Sequence, residues 1–268
     1  MVDEADLLFS SADTQLSALE RLLVKTAGGD RQRPASRLLL AGATFPERGK
    51  RSVGQLLRQR FKECSWFRST ALHCRPANIE ENFEQIASGD AKTRAMCVYD
   101  ALLRHSGAEA APDSSSSSAL DVPHQRVIVF CNTSASADSL FRELLQTHQN
   151  HQRQQQQQQK SRSTTHPSIS FSLLSKRVPI AERLASLEAF KSTNNYSAGE
   201  CSTLRVLVCT DLLSRGLDFG ALEVHHVIQA ELALNAVQHL HRIGRCGRLS
   251  SDAAAVGGRK GLGKNDCV

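Results

Sequence analysis

The sequence predicts an α/β protein in which a parallel β-sheet is covered by helices on both faces. Short, nearly continuous apolar runs alternate with segments of helical spacing, which is typical of strands buried on both sides. The 268 residues are 40% hydrophobic and 22% charged, so the chain can form a sizeable core. Because ligands of parallel sheets bind at the carboxyl ends of strands, the residues that follow each strand are candidates for function.

The elements of this sheet are predicted in the last two thirds of the chain. We expect buried strands at residues 126–131, 169–174, 205–209 and 224–228, and helices at 135–145, 181–190 and 237–243. The first 60 residues predict only a strand end at 1–2, a helix to about residue 24 and a strand at 37–41. Since so few elements cannot bury a core, we expect residues 1–72 to be the remainder of one domain and 73–268 to form a second.

Three polar segments interrupt this pattern without apolar periodicity. They predict disordered insertions near residues 107–123, 148–167 and 192–203, and the second contains six consecutive glutamines. The glutamine tract could mediate self-association, but a solvated loop of variable length is the favoured interpretation.

The net charge and the cysteines indicate the class of partner and the compartment of the protein. A net charge of +6 and a pI near 9.0 suit a polyanionic partner, although a basic balance also aids solubility. The eight cysteines include no CxxC pair, which predicts a reducing intracellular compartment, with neither a zinc site nor a disulfide framework. The sequence does not distinguish cytoplasm, nucleus, nucleolus and mitochondrion.

We expect no secretory leader and no membrane partner, because no apolar run approaches the roughly 20 residues of a membrane span.

Two segments carry the residue types of a phosphate site. Residues 210–218, TDLLSRGLD, directly follow a predicted strand, so Thr210 and Gly216 offer hydroxyl and backbone N–H groups to a phosphate, and Asp218 could accept bonds from a ribose. Residues 241–248, HRIGRCGR, place two arginines three positions apart, which makes a permanently charged clamp for phosphate oxygens. A capped helix start and a solvated basic face are the alternatives, and a functional role is favoured for both segments.

Together these segments resemble motifs of DEAD-box RNA helicases. Residues 127–133 (VIVFCNT), 210–218 and 241–248 are similar to motifs IV, V and VI, in the right order. Residues 2–6 (VDEAD) resemble the DEAD motif, and 40–46 (LAGATFP) the Ser-Ala-Thr motif. The resemblance covers nearly the whole chain outside the insertions. It implies a complete second RecA-like domain, with a parallel sheet flanked by helices, preceded by the C-terminal remnant of the first RecA-like domain.

The resemblance implies ATP and Mg²⁺ as cofactors. Asp3 would hold Mg²⁺ through water, and Glu4 would orient the water that attacks the γ-phosphate. Arg245 and Arg248 would be arginine fingers, each worth about 10³ to 10⁵ in rate. The residues implied to bind ATP are Gly216, Asp218, Arg245 and Arg248.

RNA is the implied partner, bound through its backbone with little sequence specificity and with a steep dependence on salt. Protein cofactors are a further possible class of partner. The residues implied to bind RNA are Thr133, Arg183, Thr210 and Arg215. Those implied to couple the ATP and RNA sites are Asp6, Ala43, Thr44, His241 and Arg242.

Several positions depart from the family pattern. Gly42 replaces a serine, Ile180 replaces the glutamine of a Gln-x-x-Arg region, and Ser175-Lys176 replaces His-Gly, which puts RNA binding and coupling in doubt. The near match to a GxxxxGK[ST] phosphate loop at residues 258–265, GRKGLGKN, follows no predicted strand and ends in Asn, so we interpret it as a basic, glycine-rich tail.

The favoured function is that of an ATP-dependent RNA helicase, an ATP hydrolase that opens RNA duplexes locally. The adenine-reading Gln motif and a phosphate loop are not found, so we expect a fragment that is inactive by itself. The alternatives are an inactive RNA-binding or scaffolding pseudo-helicase and, with less support, a related DNA helicase. The RNA target and the pathway are not predicted.

Overall fold

The computed structural model of the chain describes residues 2, 5, 38–42, 44–45, 52–69, 78–105, 125–158, 168–192, 203–211, 222–246 and 265–267. The chain divides into two compact units, Met1–Cys74 and Arg75–Val268. Each unit is described by itself.

The second unit is built on a sheet of six parallel strands, which confirms the predicted α/β fold. Its strands are β1 (Ile79–Glu81), β2 (Gln125–Cys131), β3 (Ser168–Leu174), β4 (Thr203–Thr210), β5 (His226–Gln229) and β6 (Asn265–Cys267). Their order across the sheet is β1-β6-β5-β2-β4-β3. The helices among the described residues are α1 (Val53–Arg60), α2 (Ala91–His105), α3 (Ser134–Gln158), α4 (Ile180–Lys191) and α5 (Ala236–Ile243), of which α1 belongs to the first unit.

The central strands are largely apolar because both faces of the sheet are covered. Along β2, Val127 and Val129 pack in one core cluster with residues of α2 and α3. Ile128 and Phe130 alternate with them and pack in a second cluster with residues of α4 and α5. Each such side chain contributes roughly 1.5–3 kcal/mol by leaving water, so the core holds the carboxyl edge of the sheet rigidly in place.

Four strands and three helices predicted from periodicity are found with their ends shifted. The largest correction concerns α3, which continues to Gln158 and not to residue 145. The loop predicted at 148–167 is therefore wrong for residues 148–158. Glutamine is a good helix former, and two histidines of this stretch pack against the body of the unit, as described below. Residues 159–167, 107–123 and 193–202 lie outside the described residues, and Thr203 already belongs to β4.

Other elements were not predicted from the sequence. They are α1, α2, β1 and β6, and β6 pairs with both β1 and β5. Short strands such as Ile79–Glu81 offer too few residues for a period to be recognised.

The first unit contains a parallel bridge between Val2 and Leu40. The Val2 N–H donates to the Leu39 carbonyl and the Ala41 N–H donates to the Val2 carbonyl, both at 2.8 Å. Ala5, Val53 and Leu57 are buried together beside this bridge. The pairing agrees with the predicted strand end and strand, whereas the helix predicted to residue 24 lies outside the described residues. In the described parts of the chain, no helix is both long and apolar enough to cross a membrane.

Candidate functional site

The carboxyl ends of three neighbouring strands meet at one side chain, Arg242 of α5. Its Nε donates to Oδ1 of Asp211, the residue after β4, and its Nη2 donates to Oδ2, both at 2.7 Å. Nη2 also donates to Oδ1 of Asn132 after β2 at 2.6 Å, and Nη1 to the carbonyl of Glu231 after β5 at 2.7 Å. Arg242 thus ties one helix to three strand ends.

The strand register explains why these three residues meet. Cys131 pairs with Thr210, so the next residues, Asn132 and Asp211, leave neighbouring strands side by side. Arg242 is only 1% exposed. A buried guanidinium is tolerated when a carboxylate and further acceptors satisfy it, and here the side chains of Asp211, Asn132 and Gln229 and a backbone carbonyl do so. We call Asn132, Asp211, Glu231 and Arg242 the arginine hub.

Helix α5 is fixed at its start as well as by Arg242. The Asn235 side chain caps the helix by accepting from the Gln238 N–H at 2.9 Å. Gln238 Nε2 donates to Asp211 Oδ2 at 2.7 Å, so the same carboxylate holds two successive turns of α5. The residues that follow α5, including Arg245, therefore leave the helix from a defined position.

The side chain of Glu231 forms a second set of polar contacts at the carboxyl edge of the sheet. It accepts from the Asn132 N–H at 2.7 Å and from the Ser136 hydroxyl at 3.0 Å, and it pairs with Arg94 of α2. Burial raises the pKa of Glu231, but the bonds from Asn132, Arg94 and Ser136 together hold it below its ordinary value. Glu231 is thus a carboxylate that fixes α2 and the start of α3 to the end of β5.

Some of the predicted RNA-binding residues lie at the same edge. Thr133 follows β2 and is exposed; its hydroxyl accepts from the Ser136 N–H at 3.1 Å and caps α3. Thr210 ends β4 and is buried. Arg183 lies on α4 and is partly buried. Thr133 is the most exposed of these three residues, and Thr210 is the one that is buried.

The predicted nucleotide and coupling residues are only partly described. Arg245 is 7% exposed, and its N–H donates to the Arg242 carbonyl at 3.1 Å, one turn beyond the hub residue. His241 is partly buried on α5, and Thr44 is buried in the first unit. The predicted site residues that lie outside the described residues are Asp3, Glu4, Asp6, Ala43, Arg215, Gly216, Asp218 and Arg248.

The departures from the family pattern are placed as follows. Ile180 begins α4 with 68% of its surface exposed, and Gly42 lies in the first unit beside the Val2–Leu40 bridge. Ser175 is fully buried, and its hydroxyl accepts from the Arg177 N–H at 3.3 Å, shaping the turn after β3. The tail with the near match to a phosphate loop lies outside the described residues up to Asn265, which begins β6.

Sequence reasoning did not single out Asn132, Asp211, Glu231, Arg94 or Gln238. Asn132 and Asp211 directly follow predicted strands, so the rule that function lies after each strand could have found them. The pairing of Arg94 with Glu231 joins residues 137 positions apart, for which no local signal exists.

A groove of about 580 Å³ lies beyond the ends of β1 and β5. Its lining includes the Arg94–Glu231 pair together with Phe83 and Leu232, both well exposed. The two charges neutralise each other and the walls are largely apolar, so the groove does not suit a polyphosphate.

The described residues contain no cluster of three or more His, Cys, Asp or Glu side chains able to hold a metal ion.

Comparisons with known proteins identify the family. The family model for the helicase conserved C-terminal domain matches residues 117–250, half of the chain. DEAD-box ATP-dependent RNA helicase 22 of Oryza sativa subsp. japonica is 27% identical over 216 residues, which are 81% of this chain and 30% of the relative. DEAD-box ATP-dependent RNA helicase 39 of Arabidopsis thaliana is 28% identical over 200 residues, 75% of this chain and 25% of the relative.

A crystal structure of a hypothetical ATP-dependent RNA helicase from Sulfolobus tokodaii aligns with 99% of this chain and 55% of its own, at a TM-score of 0.41 and 19% identity. The chain spans less than a third of the length of the two plant relatives. The chain belongs to the helicases that share the conserved C-terminal helicase domain, and within them to the DEAD-box family.

Proposed function

We propose that this chain is part of an ATP-dependent RNA helicase, in which RNA-stimulated ATP hydrolysis drives local opening of RNA duplexes. The observation that carries the proposal is the arginine hub. In the hub the buried side chain of Arg242 bonds to Asn132, which directly precedes Thr133, a predicted RNA contact. Arg242 also bonds to Asp211 and lies three positions before Arg245, a predicted nucleotide contact. Family membership supports the same conclusion.

Arg245 is the described residue best suited to the nucleotide. It follows α5 at the carboxyl edge of the sheet, and its backbone N–H bonds to the carbonyl of the hub residue Arg242. Arg245 and Arg248 would stabilise the charge that develops on transferred phosphoryl oxygens, while Asp218 and Gly216 would contact the ribose side of ATP. When bound, Mg²⁺ would neutralise phosphate charge, with Asp3 as its water-mediated ligand and Glu4 positioning the attacking water.

RNA would bind through Thr133, Arg183, Thr210 and Arg215 by contacts to phosphates and 2′-hydroxyls. Coupling would run through the hub, because a shift of the backbone at Thr133 moves Asn132, which is bonded to Arg242. Asp6, Ala43, Thr44 and His241 complete the proposed coupling set. We propose a reducing intracellular compartment, because the eight cysteines of the sequence include no CxxC pair.

The experiment measures ATP hydrolysis with and without RNA in a polypeptide that carries this chain together with a GxxxxGK[ST] loop. Arg245→Ala should lower the RNA-stimulated rate by about 10³-fold or more, because an arginine finger contributes about 10³ to 10⁵. Arg142→Ala is the matched control, since Arg142 is an exposed arginine on α3. Full activity of Arg245→Ala would refute the assignment.

A scaffold that binds RNA without hydrolysis is the second candidate. The exposure of Ile180, where the family has a glutamine that would bind RNA, is the observation in its favour. The scaffold predicts RNA binding by this chain that neither ATP nor Arg245→Ala changes. The same hydrolysis assay separates the two functions, because only the helicase predicts RNA-stimulated turnover.

A further inference from the structure

Two histidines and a tyrosine form a polar cluster on the face of the second unit covered by α2 and α3. The hydroxyl of Tyr99 on α2 lies 2.9 Å from Nδ1 of His148 and 3.4 Å from Nδ1 of His151, both on α3. Tyr99 is 3% exposed, whereas both imidazoles reach the surface in part. We call these three side chains the histidine–tyrosine cluster. It takes no part in the proposed helicase function.

We propose that the histidine–tyrosine cluster is a binding site for a divalent transition-metal cation of the Cu²⁺ and Zn²⁺ class. When a cation lies about 2.0–2.1 Å from two donor atoms and the donor–cation–donor angle is about 90° to 110°, the two donor atoms are about 2.9–3.4 Å apart. The distances from the Tyr99 hydroxyl oxygen to Nδ1 of His148 and to Nδ1 of His151, 2.9 and 3.4 Å, fall at the ends of that range. Both imidazoles present the Nδ1 nitrogen to the Tyr99 hydroxyl oxygen.

The cluster has the chemistry that a borderline cation prefers. Imidazole nitrogen with an oxygen donor suits Cu²⁺ above other divalent ions of the first transition row. The Gln152 amide lies 2.9 Å from Nε2 of His148, and the Gln155 amide lies 3.2 Å from Nδ1 of His151, so the Gln155 amide would move away when His151 binds a cation through this nitrogen.

Metal binding exchanges a proton for the cation without any redox change. In the metal-free cluster the Tyr99 hydroxyl shares its proton with an imidazole. The cation forms bonds to the two nitrogens and the phenolic oxygen, the O–H bond breaks, and the proton passes to solvent. Metal affinity should therefore fall as pH is lowered.

Helix packing makes the cluster a built site and not a chance pair of surface histidines. The His148 ring packs edge-on against Phe171 of β3 with centroids 5.5 Å apart, which fixes its orientation. The His151 ring packs against Tyr99 at 5.4 Å. A bound cation would link α2 to α3 at a point where both helices already face each other, so binding should stabilise the fold.

The test is calorimetric titration of the full 268-residue chain with Cu²⁺, with excess glycine present to suppress weak sites. We expect one tight site in the wild type and in Gln149→Ala, an exposed control on the same helix. His148→Gln and His151→Gln should each weaken binding by about tenfold or more. Tyr99→Phe should weaken binding and remove the phenolate-to-copper charge-transfer absorption.

Two outcomes would overturn the proposal: unchanged affinity in both histidine variants, or the same affinity and spectrum in Tyr99→Phe as in the wild type. Circular dichroism of each variant reports whether it folds. If a variant does not fold, electron paramagnetic resonance of the wild-type copper complex decides the question. Coupling to two imidazole nitrogens supports the site, and a spectrum without nitrogen coupling rejects it.

Discussion

Arg242 satisfies its buried charge with partners from three strand ends. The Asp211 carboxylate binds it in a bidentate geometry, the strongest form of an arginine–carboxylate pair. The ring of Phe130 lies 5.3 Å from the guanidinium carbon, so the cation also faces an aromatic surface. Loss of either charged partner would leave the other buried and uncompensated.

We therefore predict that Asp211→Ala lowers the free energy of unfolding by about 3–5 kcal/mol. Arg242→Lys should also destabilise the chain, because an ammonium cannot reproduce the bidentate pair or reach all of the acceptors. Urea unfolding followed by circular dichroism measures both variants, with exposed Arg142→Ala as the control. A loss below about 1 kcal/mol for Asp211→Ala, the size expected of a surface ion pair, would contradict a structural role for the hub.

Glu231 should make stability depend on pH. Its pKa is lower in the folded chain than in the unfolded chain, so the unfolded state binds the proton more readily. The resulting stability is present above the ordinary glutamate pKa and is lost as pH falls through the depressed value. Glu231→Gln should flatten the acid limb of a plot of unfolding free energy against pH. An acid limb identical to that of the wild type would show that Glu231 contributes none of this dependence.

At the scale of elements, α3 shows how a packed helix can extend into a glutamine tract. Its first part is anchored by Leu140 and Leu144 in the core, and the histidine–tyrosine cluster anchors the next turns. Beyond His151 the side chains are largely exposed. Since propagating an existing helix costs much less than nucleating one, glutamines that would not form an isolated helix can continue this one.

Gln156→Pro should therefore end α3 early without unfolding the second unit. Proline removes a helical hydrogen bond and clashes with the preceding turn, at a cost of about 3 kcal/mol in a helix interior. Hydrogen exchange should show lost protection in the last turns of α3 and unchanged protection in β2 and β4, with Gln156→Ala as the control. Cooperative loss of the whole unit would mean that the tract packs more extensively than the structure shows.

At the scale of the whole chain, the proposed RNA contacts predict binding that depends strongly on salt. Contacts to phosphates release counterions, so the logarithm of affinity should fall linearly with the logarithm of salt concentration. Arg183→Ala should reduce the slope for single-stranded RNA by about 0.7 and weaken binding to all sequences similarly. Fluorescence anisotropy with labelled oligonucleotides measures both effects, and Arg142→Ala should keep the wild-type slope. Binding by this chain that is independent of salt would contradict backbone recognition.

The order and type of the central elements were determined by the sequence itself. Strands such as Gln125–Cys131 and Thr203–Thr210 were predictable because burial on both faces requires an almost unbroken apolar run, and that run is a local property. The same holds for the motif segments, whose residue types and spacing pointed to phosphate chemistry before any contact was known. The spacing argument pointed to Arg245 and Arg248, whereas Arg242 was implied only by the family resemblance, as a coupling residue.

Only the tertiary structure decided which residues these motifs meet. The partners of Arg242 come from positions 132, 211, 229 and 231, and the partners of Tyr99 from positions 148 and 151 on another helix. Neither set has a periodic signal, because contacts across a sheet or between helices depend on register and packing and not on neighbours in sequence. The length of α3 was missed for the same reason: its stabilising contacts are made by histidines with a distant tyrosine, not by an apolar stripe along the helix.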